Sequence, residues 1–223
     1  MRWVTAIVRG ALPPAEPLPI AVLVSGTGTN LQALIEHVHG QAAEIVAVAS
    51  GNGDAPALER ARGHGIATAV FRRADYENRA ARDEALADWL AERGARLIVL
   101  AGYMELLGDG FLARFPGAVI NVHPSLLPAF TGLRAVEQAL DYGVKVFGVT
   151  VHFVDGGVDT GPVILQGSVT LMDAASPGEV LEALRPLEHS LLPRAVALFA
   201  EGRISLDAGN PRRVVIRGDG SAG

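Results

Sequence analysis

The sequence predicts an α/β protein built on a doubly wound, mostly parallel open sheet, and three observations predict it. Apolar runs such as Ile20–Val24 and Arg96–Gly102 read as strands, and Ile20–Val24, short, β-branched and bounded by Pro19 and Gly26, reads as one buried on both faces. Between them lie segments whose apolar residues recur at helical spacing. The two kinds alternate along the chain, and such alternation implies right-handed crossovers with helices on both faces of the sheet.

Composition narrows the classes before any motif is read. A chain of 223 residues that is 49% hydrophobic has enough apolar material for a sizeable core, which excludes disorder of the whole. A formal net charge of −5 argues against a nucleic acid or an acidic membrane as a partner chosen by bulk charge, although a small anion can still be held locally. With no cysteine there is no disulfide framework, thiolate nucleophile or Cys-based metal site, which fits a cytoplasmic setting. The apolar run in Met1–Arg9 is too short to span a membrane and precedes no cleavage-site pattern.

Taken in order, residues 1–19, with ALPPAEPLP, read as a proline-rich extension expected to be poorly ordered. Residues 20–205 are expected to form one domain. Its first strand, Ile20–Val24, runs into SGTGTN and then a helix carrying Leu31, Leu34, Ile35 and Val38. A second strand, Glu44–Ser50, is followed by a helix over Ala55–His64 closed by Gly65. A third, Ala67–Phe71, leads to a long helix over Tyr76–Gly94 with Leu86, Trp89 and Leu90. Arg96–Gly102 is the fourth strand and Gly117–Val122 the fifth. Ligands of such sheets bind beyond the carboxyl ends of the strands where strand order reverses, so the loops after the first, fourth and fifth strands are the places to look. Val146–Val154 and Val163–Leu171 are two more strands, joined by DGGVDTGP. A final helix from about Ser176 to Ala200 is expected to break near Pro186 and Pro193, and residues 206–223 read as a small strand and a tail.

Three segments carry chemistry. In SGTGTN, two glycines allow a tight turn that points the amides of Gly28, Thr29 and Asn30 outward at a helix N-terminus, where an anion is favoured. The loop is neither a Walker motif nor a full dinucleotide fingerprint, since Leu31 stands where a third glycine belongs. On these residues alone, an ordinary turn capped by Thr29 or Asn30 explains it equally well. In INVHPSLLPAFTG, Ile120–Gly132, a strand end presents Asn121 and His123 on one face while Pro124 and Pro128 stiffen the loop beyond it. A lone histidine there is more often structural than catalytic, but Asn121 adds an amide suited to a developing oxyanion, and an imidazole supplies charge or a proton to the same centre. In HFVDGGVDTGPVI, Asp159 is placed to orient His123 or hold a water, while Asp155 reads as a turn residue.

Together SGTGTNLQALIE, LAGYMELL, NVHPSLLPAFTG and HFVDGGVDTGPVILQ, in this order, resemble the phosphoribosylglycinamide formyltransferases, folate-dependent enzymes of purine biosynthesis with a Rossmann-like fold. The resemblance runs from about Ile20 to Arg203. It implies that Asn121, His123 and Asp159 are catalytic. It further implies that Gly28, Thr29 and Asn30 hold a 5′-phosphate and that Glu188 contacts glycinamide ribonucleotide. Arg79, Met104 and Leu107 then line a folate site, with the loop Val154–Asp159, Asp155 included, closing over the pterin. The co-substrate is N10-formyltetrahydrofolate, no metal is required, and the protein is a monomer or homodimer acting on small molecules. Arg185 stands where glutamine is often found beside the phosphate, and Glu105 where an arginine can occur. Related methionyl-tRNA formyltransferases lack this phosphate loop and add an RNA-binding domain. Formyltetrahydrofolate hydrolases, the alternative reading, typically carry a second histidine at the position of Pro124. Outside this family, a non-catalytic phosphate-binding module is the remaining possibility, and it predicts no folate binding.

Overall fold

A computed structural model describes residues 16–218, so the reading of residues 1–15 as a poorly ordered extension, and of residues 219–223 as a tail, lies outside the described residues. The elements are β1 (Leu18–Val24), α1 (Thr29–His37), β2 (Ala43–Ser50), α2 (Pro56–Gly63), β3 (Thr68–Val70), α3 (Arg79–Glu92), β4 (Leu97–Leu100), α4 (Asp109–Arg114), β5 (Val119–His123), α5 (Ala135–Tyr142), β6 (Val146–Phe153), β7 (Val163–Thr170), α6 (Pro177–Ala200), β8 (Ile204–Leu206) and β9 (Val214–Ile216). β1 begins at Leu18 rather than Ile20, because a proline near the start of a strand forfeits little and the Pro19 carbonyl still accepts from Arg96 N–H at 2.8 Å. The long helix begins at Arg79 rather than Tyr76, where Asn78 caps it by accepting from Ala81 N–H at 2.9 Å.

Seven strands form one sheet in the order β3-β2-β1-β4-β5-β6-β7. The five strands from β3 to β5 are parallel, and β6 and β7 are added antiparallel at one edge. Ile20–Val24 and Leu97–Val99 are fully buried at the centre, as continuous apolar strands must be when helices cover both faces. One face packs against α1, α2, α5 and α6, and the other against α3 and α4. Strand order reverses between β1 and β4, so their C-terminal loops meet at the crevice where such sheets bind ligands.

Two expectations need correction. α6 does not break: it is continuous from Pro177 to Ala200 with Pro186 and Pro193 inside. Each proline forfeits a backbone bond, but Val180, Leu184, Leu192, Ala195 and Val196 are all fully buried against the sheet, and that apolar stripe continues across both prolines. The boundary drawn at residues 205 and 206 also fails, since it cuts β8, which pairs antiparallel with β9. This hairpin is tied to the main sheet by a bridge between Val163 and Arg213 and by Arg212 Nη2 donating to the Thr160 carbonyl at 2.6 Å. Among the described residues, no helix is long and apolar enough to cross a membrane.

Candidate active site

At the end of β1 the chain turns through Gly28, which is the N-cap of α1 with φ 76° and ψ 32°. Only glycine suits this position, because the backbone is left-handed and a Cβ would lie 2.6 Å from that of Ala57. No side chain caps the helix, so the turn is not the one closed by Thr29 or Asn30, and the first amides of α1 remain available to a ligand. Asn30 instead reaches across to α6, where its Nδ2 donates to Glu188 Oε2 at 3.1 Å. Its own Oδ1 is buried with no partner among the described residues. Burial pushes the Glu188 carboxyl above its ordinary value, against the Asn30 hydrogen bond and the Arg185 charge, which pull it down. Arg185 lies one helical turn from Glu188 and pairs with Glu182 at 3.1 Å. The structure thus brings Asn30, Glu188 and Arg185 together at one end of the crevice.

The second cluster is set by strand register. Val119, Asn121 and His123 face the α3 and α4 side of the sheet by strand alternation, since Val119 packs there and Ile120 and Val122 pack on the other side. Antiparallel pairing sets His152 of β6 opposite Asn121 and Thr150 opposite His123. The loop after β6 arches back so that Asp159, at φ 53°, reaches the same cluster. His123 Nδ1 lies 3.3 Å from Asp159 Oδ2 and its Nε2 lies 2.9 Å from the Phe130 carbonyl. Both ring nitrogens therefore face acceptors, an arrangement that a doubly protonated imidazole satisfies. Asp159 Oδ2 also accepts from Gly132 N–H at 2.7 Å, and Oδ1 lies 3.4 Å from Asn121 Nδ2. Burial works to raise the Asp159 carboxyl, but hydrogen bonds from His152 and Gly132 and the charges of both histidines outweigh it, and the group is held below its ordinary value.

His152 is a member of this cluster that the sequence motifs do not single out. It is 1% exposed, its Nδ1 donates to the Phe153 carbonyl at 2.7 Å, and its Nε2 lies 3.2 Å from Asn121 Nδ2. The one signal of it in the sequence is a histidine inside the apolar alternation of VFGVTVHFV. The stiff loop after β5 is held by Thr150, whose hydroxyl donates to the Ser125 carbonyl at 2.7 Å and accepts from Leu127 N–H at 3.1 Å. Asp155 keeps the turn role read from the sequence: its Oδ1 accepts from Gly157 N–H at 3.1 Å and from the Thr160 hydroxyl at 2.5 Å. Val154 is tied to β5 by its N–H, which donates to the Val119 carbonyl at 2.9 Å.

The loop after β4 forms the opposite wall of the crevice. Met104 N–H donates to the Ser25 hydroxyl at 3.0 Å, which joins this loop to the turn after β1. Met104 is largely exposed, whereas Leu107 is half-buried against the α3 and α4 core. Arg79 is exposed at the first residue of α3, beside Gly108, with no hydrogen-bond or ion-pair partner among the described residues. An i,i+4 pair with Asp83 does not form, because the Asp83 carboxylate is engaged by Arg82 and by Gly108 N–H. Glu105 forms an ion pair with the buried Arg82.

Residues 18–196 match the formyl transferase family, and the chain belongs to that family. It is 42% identical over 189 residues to the phosphoribosylglycinamide formyltransferase of Haemophilus influenzae, across 84% of this chain and 89% of that one. Glycinamide ribonucleotide transformylase 1 from Symbiobacterium toebii superposes with a TM-score of 0.87 at 43% identity, over 92% of this chain and 96% of the other. A formyltetrahydrofolate deformylase from Pseudomonas syringae has a TM-score of 0.83 at 24% identity, over 92% of this chain and 67% of its own, a likeness of fold alone.

Proposed function

We propose that this enzyme transfers the formyl group of N10-formyltetrahydrofolate to the amine of 5-phosphoribosylglycinamide, a step of de novo purine biosynthesis. The observation that carries the reading is the convergence of Asn121 and His123, from a strand end, on Asp159 of a distant loop, whose carboxylate lies within 3.4 Å of both. The Asn30–Glu188 pair and the uncapped start of α1 supply a polar end to the crevice for a phosphorylated amine, and Met104 and Leu106 supply an exposed apolar wall for a flat ring. Arg79, at the mouth of that wall, suits an anionic tail.

In this reading the ribonucleotide amine attacks the formyl carbon, and the negative charge that develops on the formyl oxygen is met by the Asn121 amide and by the His123 Nε2–H, which turns from the Phe130 carbonyl to do so. Donation by Asn121 requires one of its amide hydrogens to turn from Asp159, the longer of its two contacts at 3.4 Å. Asp159, ionised throughout, steadies the charged imidazole and helps carry the amine proton to the leaving N10 nitrogen. The product pair is formylated ribonucleotide and tetrahydrofolate. The work is assigned to the cytoplasm and to a monomer or homodimer. An absorbance assay of formylfolate consumption with and without glycinamide ribonucleotide tests the reading. Consumption is expected only with the ribonucleotide; formate release at the same rate without it establishes a hydrolase, and no folate binding at all leaves a phosphate-binding module.

A further inference from the structure

We propose that Arg82 is a positioning residue for the formyl donor: its buried guanidinium, with Asp83 and Glu105, sets the main-chain path of residues 103–108, the apolar wall of the crevice. This role rests on the formyl-transfer function proposed for the site. Arg82 is 1% exposed, and an arginine so deeply placed is stable only if its charge is compensated and its donors are used. Its Nε and Nη2 donate to Asp83 Oδ1 at 3.1 and 2.6 Å, Nη1 pairs with Glu105, and Nη2 also reaches the Leu106 carbonyl at 3.3 Å. Asp83 Oδ2 in turn accepts from Gly108 N–H at 2.8 Å.

These contacts matter because the loop has little else. Among the described residues, backbone–backbone hydrogen bonds leave off at Ala101 and resume at Gly108. Between them the chain is held at Met104 by Ser25, at Glu105 and Leu106 by Arg82, and then at Gly108 by Asp83. Every anchor lies on the inner side of the loop, and the outer side presents Met104 and Leu106, 68% and 60% exposed, at the point where strand order reverses. A planar fork that reaches three divergent acceptors is needed here, and an ammonium group cannot reproduce it. The same pairing holds the Glu105 carboxylate against Arg82, so that it does not stand unpaired on the wall that faces an anionic co-substrate.

The test uses the full chain and two variants, Arg82→Lys and Glu105→Gln, the second retaining shape and hydrogen bonding if the first folds poorly. Tetrahydrofolate binding is measured by calorimetry, KM for each substrate by steady-state assay, and Tm for each protein. Wild type is expected to bind tetrahydrofolate. Each folded variant is expected to raise the Kd of tetrahydrofolate and the KM of the formyl donor by about fivefold or more, with the ribonucleotide KM changed by less than about twofold. Wild type that binds but variants with an unchanged Kd overturn the positioning role alone. A lowered Tm with both KM values unchanged, or an equal rise in both, reduces Arg82 to a structural ion pair and overturns it likewise. Wild type that binds no tetrahydrofolate overturns the functional reading and this inference with it.

Discussion

The amide of Asn121 sits between His152 Nε2 at 3.2 Å and Asp159 Oδ1 at 3.4 Å, and these neighbours set the plane in which it donates. In the proposed mechanism Asn121→Ala removes an oxyanion donor, so kcat is expected to fall on the order of 10²–10³-fold with ribonucleotide affinity little changed. Steady-state kinetics with both substrates checks this, and a near-normal kcat removes Asn121 from the mechanism. Glu188 makes a different prediction. Its carboxyl is raised above 4.5 by burial, so between that value and its folded value the folded protein holds more protons, and stability declines as pH rises through the window. Glu188→Gln is therefore expected to raise Tm at pH 7 but not at pH 4, while weakening ribonucleotide binding, a trade read by calorimetry and by KM together.

Loops at this site are defined by what ties them down. Residues 154–162 carry Asp159, and the loop is anchored from outside by the β8–β9 hairpin, where Arg212 donates to the Thr160 carbonyl at 2.6 Å and Arg213 bridges to Val163. A chain ending at residue 203 keeps all seven strands of the main sheet yet loses this hairpin. It is expected to remain folded and to lose several-fold in kcat by loosening Asp159, with circular dichroism and the formyl-transfer assay as the paired measurements. α6 shows the opposite relation between sequence and structure. Its prolines are poor helix residues, but the buried stripe of Leu184, Leu192 and Val196 outweighs them, and the unbroken helix carries Glu188 to Asn30.

Across the whole molecule, Asp159 links the site to stability. Its folded value lies below 3.8, so its contribution is full above that pH and is lost as pH falls through the folded value. Denaturant melts are expected to show this loss below about pH 4 in wild type and a shallower loss in Asp159→Asn. The alternation of strands and helices, the burial of Ile20–Val24 on both faces, and the placing of Asn121 and His123 at a strand end were all legible in the sequence. Those features depend on local periods of two and 3.6 residues and on glycine and proline, which neighbours in the chain express directly. Folding in three dimensions was needed to set His152 opposite Asn121, to close the cluster with the Phe130 carbonyl and the Gly132 amide, and to bury Arg82 under the loop after β4. Register, burial and backbone contacts are properties of pairs far apart in the chain. No local pattern around Arg82 separates it from the exposed charges of its helix, and only packing reveals which arginine is enclosed.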